Sequence, residues 1–321
     1  MKRKAKRWVG IGALIVVAGF AGLNALAYSH AEAMLRFSDS GLRTTAPERL
    51  GLLSRVRVLL TGVNIPRPVS YGLPSELAPY CRALSIPGPR GVTLSSWYCN
   101  RGNGTPLIIL FHGYSAEKTS LLGEARAFLD LGGSVLLVDF RGSGGSSESY
   151  TTVGVHEAED VAAAVRYARG KLSHDNVLLF GRSMGAAAIL RAVHAYGIQP
   201  DGVMLEAVFD TLLNTVRHRF RALDVPASPS AELLVFWGGR QWGFDGFEHN
   251  PSAYAASVHC PVLLMHGARD PRVRLTEARR VFEAIPATKE FVTFEQSGHE
   301  SYLSNNASQW RTAVERFIKR T

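Results

Sequence analysis

The chain has 321 residues, 46% of them hydrophobic and 20% charged, with 31 Gly and 15 Pro. This ordinary globular balance excludes a disordered chain, a collagen and a coiled coil. The formal charge is +9, but five of the 36 basic side chains (Lys2, Arg3, Lys4, Lys6 and Arg7) precede residue 8, leaving 31 against 27 acidic ones. A remainder of +4 over the rest of the chain supplies no basic face for a nucleic acid, and no zinc-finger or RNA-recognition motif accompanies it.

From Trp8 to Ala31 the chain carries no Asp, Glu, Lys or Arg. Its apolar core, Val9 to Tyr28, has the roughly 20 residues that span a bilayer. The basic flank puts Met1 in the cytoplasm and everything after about residue 30 outside, by the positive-inside tendency. Residues 8–28 are therefore expected to bind membrane, with a single pass and an extracytoplasmic domain. A cleaved signal peptide is the competing reading, since Ala25-Leu26-Ala27 and Ser29-His30-Ala31 offer small residues for cleavage. The anchor is preferred because the apolar run exceeds the usual signal core.

Residues 1–33 are thus read as flank and anchor, 34–80 as a connecting region, and 81–321 as the main domain. In the connecting region, Pro47 to Leu60 predicts an amphipathic helix: Leu50, Leu53, Val56 and Leu60 share one face, and Gly62 stops it. Arg49, Arg55 and Arg57 make its other side basic. That suits either anionic lipid or a solvated helix packed on the domain. Residues 64–79 read as an irregular linker. Cys81, Cys99 and Cys260 are too few for a disulfide framework. Three buried thiols are the preferred reading, with a Cys81–Cys99 bridge open to an exported chain.

From residue 81 the pattern is an α/β one. Two antiparallel strands flank the turn Pro87 to Gly91. Continuous apolar runs follow at 107–111, 134–140, 176–180, 202–208, 261–265 and 290–295, which predicts strands buried on both faces of a mostly parallel sheet. Helical segments near 116–131, 156–169, 184–196, 275–285 and 307–319 alternate with them and cover both faces. The rhythm breaks after the sixth strand, and the aromatic insertion 210–254, with Trp237 and Trp242, is read as a cap over a site.

Gly181-Arg182-Ser183-Met184-Gly185 falls between a predicted strand and an Ala-rich helix, the setting of a nucleophile elbow. A serine hydroxyl needs a base, and the base an orienting acid. Asp270, in His266-Gly267-Ala268-Arg269-Asp270, and His299, in Ser297-Gly298-His299-Glu300, follow in that chain order at the carboxyl ends of strands. Glu206 and Asp210 are rival acids. The oxyanion is expected to meet the N–H of Met184 and that of Tyr114, in the loop Phe111-His112-Gly113-Tyr114-Ser115. His112 is read as structural. His156, Glu157, Glu159 and Asp160 are read as helix-start capping rather than as a metal site, and no metal or cofactor is expected. Asn103 and Asn306 stand in glycosylation sequons.

These motifs, with Asp139-Phe140-Arg141-Gly142-Ser143-Gly144, resemble the α/β-hydrolase superfamily over about residues 81–320, and more closely its membrane-anchored serine hydrolases. The resemblance implies an α/β-hydrolase fold with Ser183, Asp270 and His299 as triad, Met184 and Tyr114 as oxyanion hole, and no cofactor. It implies hydrolysis of acyl esters through an acyl-serine. A lipase or acyl-thioesterase acting on lipid-like substrates at the membrane is the alternative, and a non-catalytic binding module the third. The insertion 210–254 matches no known cap and leaves the substrate class open.

Overall fold

The computed structural model describes residues 2–46, 49–102 and 104–321, with the side chains of 2–7 and 9 outside the description. Pro47 as helix start and Asn103 as glycosylation acceptor lie outside the described residues. The helices are α1 Lys2–Leu35, α2 Leu52–Thr61, α3 Leu122–Asp130, α4 Glu157–Gly170, α5 Met184–Tyr196, α6 Leu212–Ala222, α7 Ser230–Trp242, α8 Pro251–Ala255, α9 Leu275–Ala284, α10 Tyr302–Asn305 and α11 Ala307–Ile318. The strands are β1 Cys81–Pro87, β2 Thr93–Cys99, β3 Leu107–Phe111, β4 Ser134–Val138, β5 Val177–Arg182, β6 Gly202–Glu206, β7 Val262–Gly267 and β8 Lys289–Phe294. They form one eight-stranded sheet in the order β1-β2-β4-β3-β5-β6-β7-β8. Only the β1–β2 and β2–β4 pairings are antiparallel.

Why the apolar runs become strands is visible in β3. Leu107, Ile109 and Phe111 enter one core with α4 and α5, whereas Ile108 and Leu110 enter the opposite core with α3 and α11. A period of two with both faces covered requires an apolar residue at every position. At the carboxyl ends of the parallel strands β3 to β8 the chain leads back to a helix, so those turns share one edge of the sheet.

Cys81 and Cys99 are direct register partners of β1 and β2 and form a disulfide, which corrects the preference for three thiols. Cys260 is free. Asn306 is half-buried at the junction of α10 and α11, where its amide donates to Ser297 Oγ at 2.8 Å.

α1 has 34 residues, about 51 Å at 1.5 Å per residue, longer than the roughly 30 Å hydrocarbon core. Its two parts behave differently. Leu14, Ile15, Val16, Val17 and Phe20 stay 59–70% exposed, while Ala27, Ala31 and Leu35 are buried. Each exposed side chain forgoes roughly 1.5–3 kcal/mol in water, so five of them rival the 5–15 kcal/mol of a whole fold. Among the described residues, α1 is the one helix long and apolar enough to cross a membrane, over Gly10–Leu35.

The lower part packs on α7. Trp237 donates to Asn24 Oδ1 at 3.2 Å and meets Tyr28 edge-on, and Gln241 donates to the Tyr28 carbonyl at 2.9 Å. Trp242 stacks on Tyr150 with ring centroids 4.2 Å apart. Trp237 thus holds the apolar helix, and neither tryptophan lines the site cavity. The segment 34–80 is also more than a connector. Phe37 and Ile65 are buried, Arg36 bridges to Tyr150, and Ser38 to Pro66. α2 begins at Leu52, after extended Gly51, a poor helix former, and ends at Gly62 with φ 83°.

Candidate active site

The sharpest local feature is the turn from β5 to α5. Ser183 sits there with φ 53° and ψ −110°, a conformation that L-residues avoid and functional turns retain. Its neighbours must be small. A Cβ on Gly185 would lie 2.3 Å from the Phe111 carbonyl oxygen, and one on Gly181 would lie 2.6 Å from the Ala186 nitrogen. The Ser183 N–H donates to the Glu206 carbonyl at 2.7 Å, tying the turn to β6.

His299 follows β8, and its Nε2 lies 3.0 Å from Ser183 Oγ. Its Nδ1 lies 2.6 Å from Asp270 Oδ2, after β7. The other oxygen, Asp270 Oδ1, accepts the N–H groups of Arg272 and Val273 at 2.8 and 2.9 Å. Burial alone would raise the Asp270 carboxyl, but His299 and the two amides outweigh it and hold it below the usual carboxylate value. The stabilisation from this carboxylate is therefore full above the unfolded carboxyl's ordinary range and lost as pH falls through the lower folded value. Backbone bonds fasten the two loops together: Arg269 N–H to the Ser297 carbonyl at 2.9 Å, and Ala268 N–H to Phe294 at 3.0 Å.

The rival acids are committed elsewhere. Glu206 is fully buried and accepts from Arg182 Nε at 2.9 Å and Trp310 Nε1 at 2.6 Å. Burial raises its carboxyl, and Arg182 opposes that rise. Asp210 accepts from Asn214 at 2.9 Å and pairs with Arg280 at 2.7 Å. His112 Nε2 accepts the Phe140 N–H at 3.0 Å, so its Nδ1 carries the proton donated to the Gly113 carbonyl at 2.9 Å. Burial depresses its basicity and keeps this loop-holding imidazole neutral.

The acidic cluster opening α4 does more than cap a helix. Glu157 accepts the Thr152 and Gly154 N–H groups, both at 2.9 Å, and the hydroxyls of Thr151 and Thr152. Asp160 pairs with Arg141 at 2.7 Å, both fully buried in their side chains. Among the described residues no group of three or more His, Cys, Asp or Glu is arranged to hold a metal.

Met184 opens α5, where the leading N–H groups have no partner within the helix. Tyr114 shares the cavity with Ser183, Met184 and His299. Its side chain, however, leads away: the hydroxyl donates to the Met34 carbonyl of α1, and Arg219 lies over its ring at 5.0 Å. The cavity holds about 540 Å³, in the range of small-molecule sites. Its walls are apolar stretches of α1, α2 and α6, including Leu26, Val58 and Phe220, so the insertion supplies only part of the roof.

Two groups went unseen in the sequence. Arg182, the variable residue of the elbow, bridges Glu206 and Glu124, and Glu124 in turn accepts from Ser301, two residues past His299. A charged residue inside an otherwise small-residue turn was its signal. The wall from α1 had none, because a lipid-facing leucine and a pocket-facing one look alike.

The prolyl oligopeptidase family (peptidase S9) matches residues 120–321. The chain is 25% identical over 239 residues to the uncharacterized protein YqkD of Bacillus subtilis, covering 74% of this chain and 78% of that one. It is 27% identical over 231 residues to dipeptidyl aminopeptidase BIII of Pseudoxanthomonas mexicana, covering 66% of this chain but 33% of the relative. An esterase from Pyrococcus furiosus superposes with a TM-score of 0.67 at 25% identity, over 80% of this chain and 97% of its own. The fold, the elbow and these likenesses agree: the chain is a serine hydrolase of the α/β-hydrolase superfamily and belongs to the prolyl oligopeptidase family.

Proposed function

We propose that the chain is a membrane-anchored esterase that cleaves carboxylic esters through an acyl-serine. The observation that carries this reading is the chain of contacts from Ser183 Oγ to His299 Nε2 and from Nδ1 to Asp270, opening on a largely apolar cavity. In the cycle, His299 takes the Ser183 proton as Oγ attacks the ester carbonyl. The N–H groups of Met184 and Tyr114 receive the oxyanion, and His299 returns the proton to the departing alcohol. Water, activated by His299, then releases the acid. Asp270 fixes the imidazole tautomer throughout.

The family also contains peptidases. A substrate held by its free amine needs a carboxylate to receive the ammonium, and no Asp or Glu lines this cavity among the described residues. The largely apolar walls and the structural likeness to an esterase support ester cleavage as the reading. Ester turnover by the full chain, lost in Ser183→Ala, tests this; retention of turnover in that variant would exclude the mechanism.

α1 is read as an uncleaved anchor, with its N-terminus cytoplasmic and the catalytic domain outside. Cleavage near Ala27 or Ala31 would cut the segment packed on α7 and strip residues from the cavity wall. The Cys81–Cys99 disulfide suits an oxidising compartment. Intact mass of the membrane-extracted protein checks the anchor: the full sequence mass is expected, and a mass lacking about the first 30 residues would contradict it.

A further inference from the structure

Deepening the esterase reading and resting on it, we infer that the substrate is an anionic, long-chain acyl ester resident in the bilayer, which enters between α1 and α2. The cavity holding Ser183 and His299 does not end in the catalytic domain. One side is formed by Leu23, Leu26, Ala27, His30 and Met34, on successive turns of the helix that carries the exposed apolar stretch Leu14 to Phe20. The opposite side is formed by Val58, Leu59 and Leu60 of α2, and His30 Nε2 lies 3.1 Å from the Leu59 carbonyl where the two helices meet. An acyl chain lying along the exposed stretch Leu14 to Phe20 in the membrane thus continues along the same helix to the nucleophile without crossing water.

α2 itself is built to lie at that boundary. None of its residues is buried, and Leu52, Leu53 and Val56, which do not line the cavity, are exposed. Left in water these three would forgo several kcal/mol, whereas the interface beside a membrane-spanning helix covers them. Arg55 ties α2 to Asp224 beyond α6, so the roof is anchored at its far end.

Charge selects within this class. Arg43 and Arg182 are among the side chains that line the cavity. Arg182 is matched by Glu124 and Glu206, whereas Arg43 donates to the neutral carbonyl and hydroxyl of Ser115. A negative group on the alcohol portion of the ester therefore meets positive potential near the scissile carbonyl. The reaction remains an acyl transfer: the Ser183 Oγ–carbonyl bond forms, the ester C–O bond breaks, the alcohol leaves with the proton from His299, and water completes the release.

The full chain in phosphatidylcholine nanodiscs is assayed with 1-oleoylglycerol 3-phosphate, monooleoylglycerol and p-nitrophenyl butyrate. Leu26→Trp and Val58→Trp each fill one wall, and fluorophosphonate labelling of Ser183 reports an intact elbow. Either variant is expected to lower the long-chain to short-chain ratio of kcat/KM about tenfold or more, the scale of a lost apolar fit. The wild type is expected to prefer the phosphate ester over the neutral one, with Arg43→Ala reducing that preference about tenfold. A ratio unchanged in labelled variants would overturn the route and leave the esterase standing. Equal rates on charged and neutral oleoyl esters would overturn the anionic class. Failure of the wild type to turn over any ester or to label would overturn the esterase reading itself.

Discussion

The strand edge and the helical wall meet around one cavity but are built on opposite principles. At the edge, Ser183, Asp270 and His299 stand on turns whose backbone groups are bonded to neighbouring strands, over cores buried on both sheet faces. In the wall, α1 and α2 present apolar residues to the cavity on one side and to the surroundings on the other. Reactivity is thus assigned to the part of the molecule that water folds, and substrate choice to the part whose outer apolar residues the fold itself leaves exposed. Perturbing the edge is expected to remove turnover of every ester, and perturbing the wall to change which ester is used.

The largest effect that this contrast predicts is at the edge: Ser183→Ala lowers ester turnover about 10⁴-fold or more, with the unfolding midpoint retained. Gly185→Ala comes next, since its Cβ would meet the Phe111 and His112 carbonyl oxygens at 2.3 and 2.8 Å. Displacing the elbow by a fraction of an ångström is expected to cost about 100-fold in rate. Arg182→Ala leaves Glu124 and Glu206 without their shared cation, and denaturant unfolding should register a loss of about 3 kcal/mol. Removing the Cys81–Cys99 bridge, whose residues are 18 apart, should lower stability by at most about 3 kcal/mol and spare turnover, because β1 and β2 lie at the far end of the sheet from β7 and β8. The smallest change in stability belongs to the wall: Leu53→Asp, at a residue 86% exposed, should shift unfolding by about 0.5 kcal/mol or less. A loss of several kcal/mol there would break the contrast, because it would mean that Leu53 is packed against protein.

What could be read beforehand divides along the same line. Strands buried on both faces declare themselves as runs such as Leu107 to Phe111, and the elbow through the glycines that its close backbone approach demands. Asp270 and His299 follow from chain order and strand ends, and their meeting with Ser183 agrees with that order. The insertion does line the cavity, through residues such as Thr215, Phe220 and Leu234, but its tryptophans could not be placed beforehand, because a large apolar ring looks the same whichever surface it covers; Trp237 packs on α1 and Trp242 on Tyr150. Residues 64–79 looked like an irregular linker because single bonds leave no periodic pattern, yet they dock the segment firmly, as when Arg67 donates to the Gly142 carbonyl at 3.2 Å. The disulfide depended on register, which places Cys81 opposite Cys99 and which composition does not encode.

The central claim is that Ser183 is the nucleophile of an esterase. Its most direct test is to expose the full chain in membrane to a fluorophosphonate, digest it, and map the modified residue by mass spectrometry alongside ester turnover. The account predicts a single adduct on Ser183, with turnover falling in step with its occupancy. An adduct elsewhere, or full turnover with Ser183 modified, would contradict it.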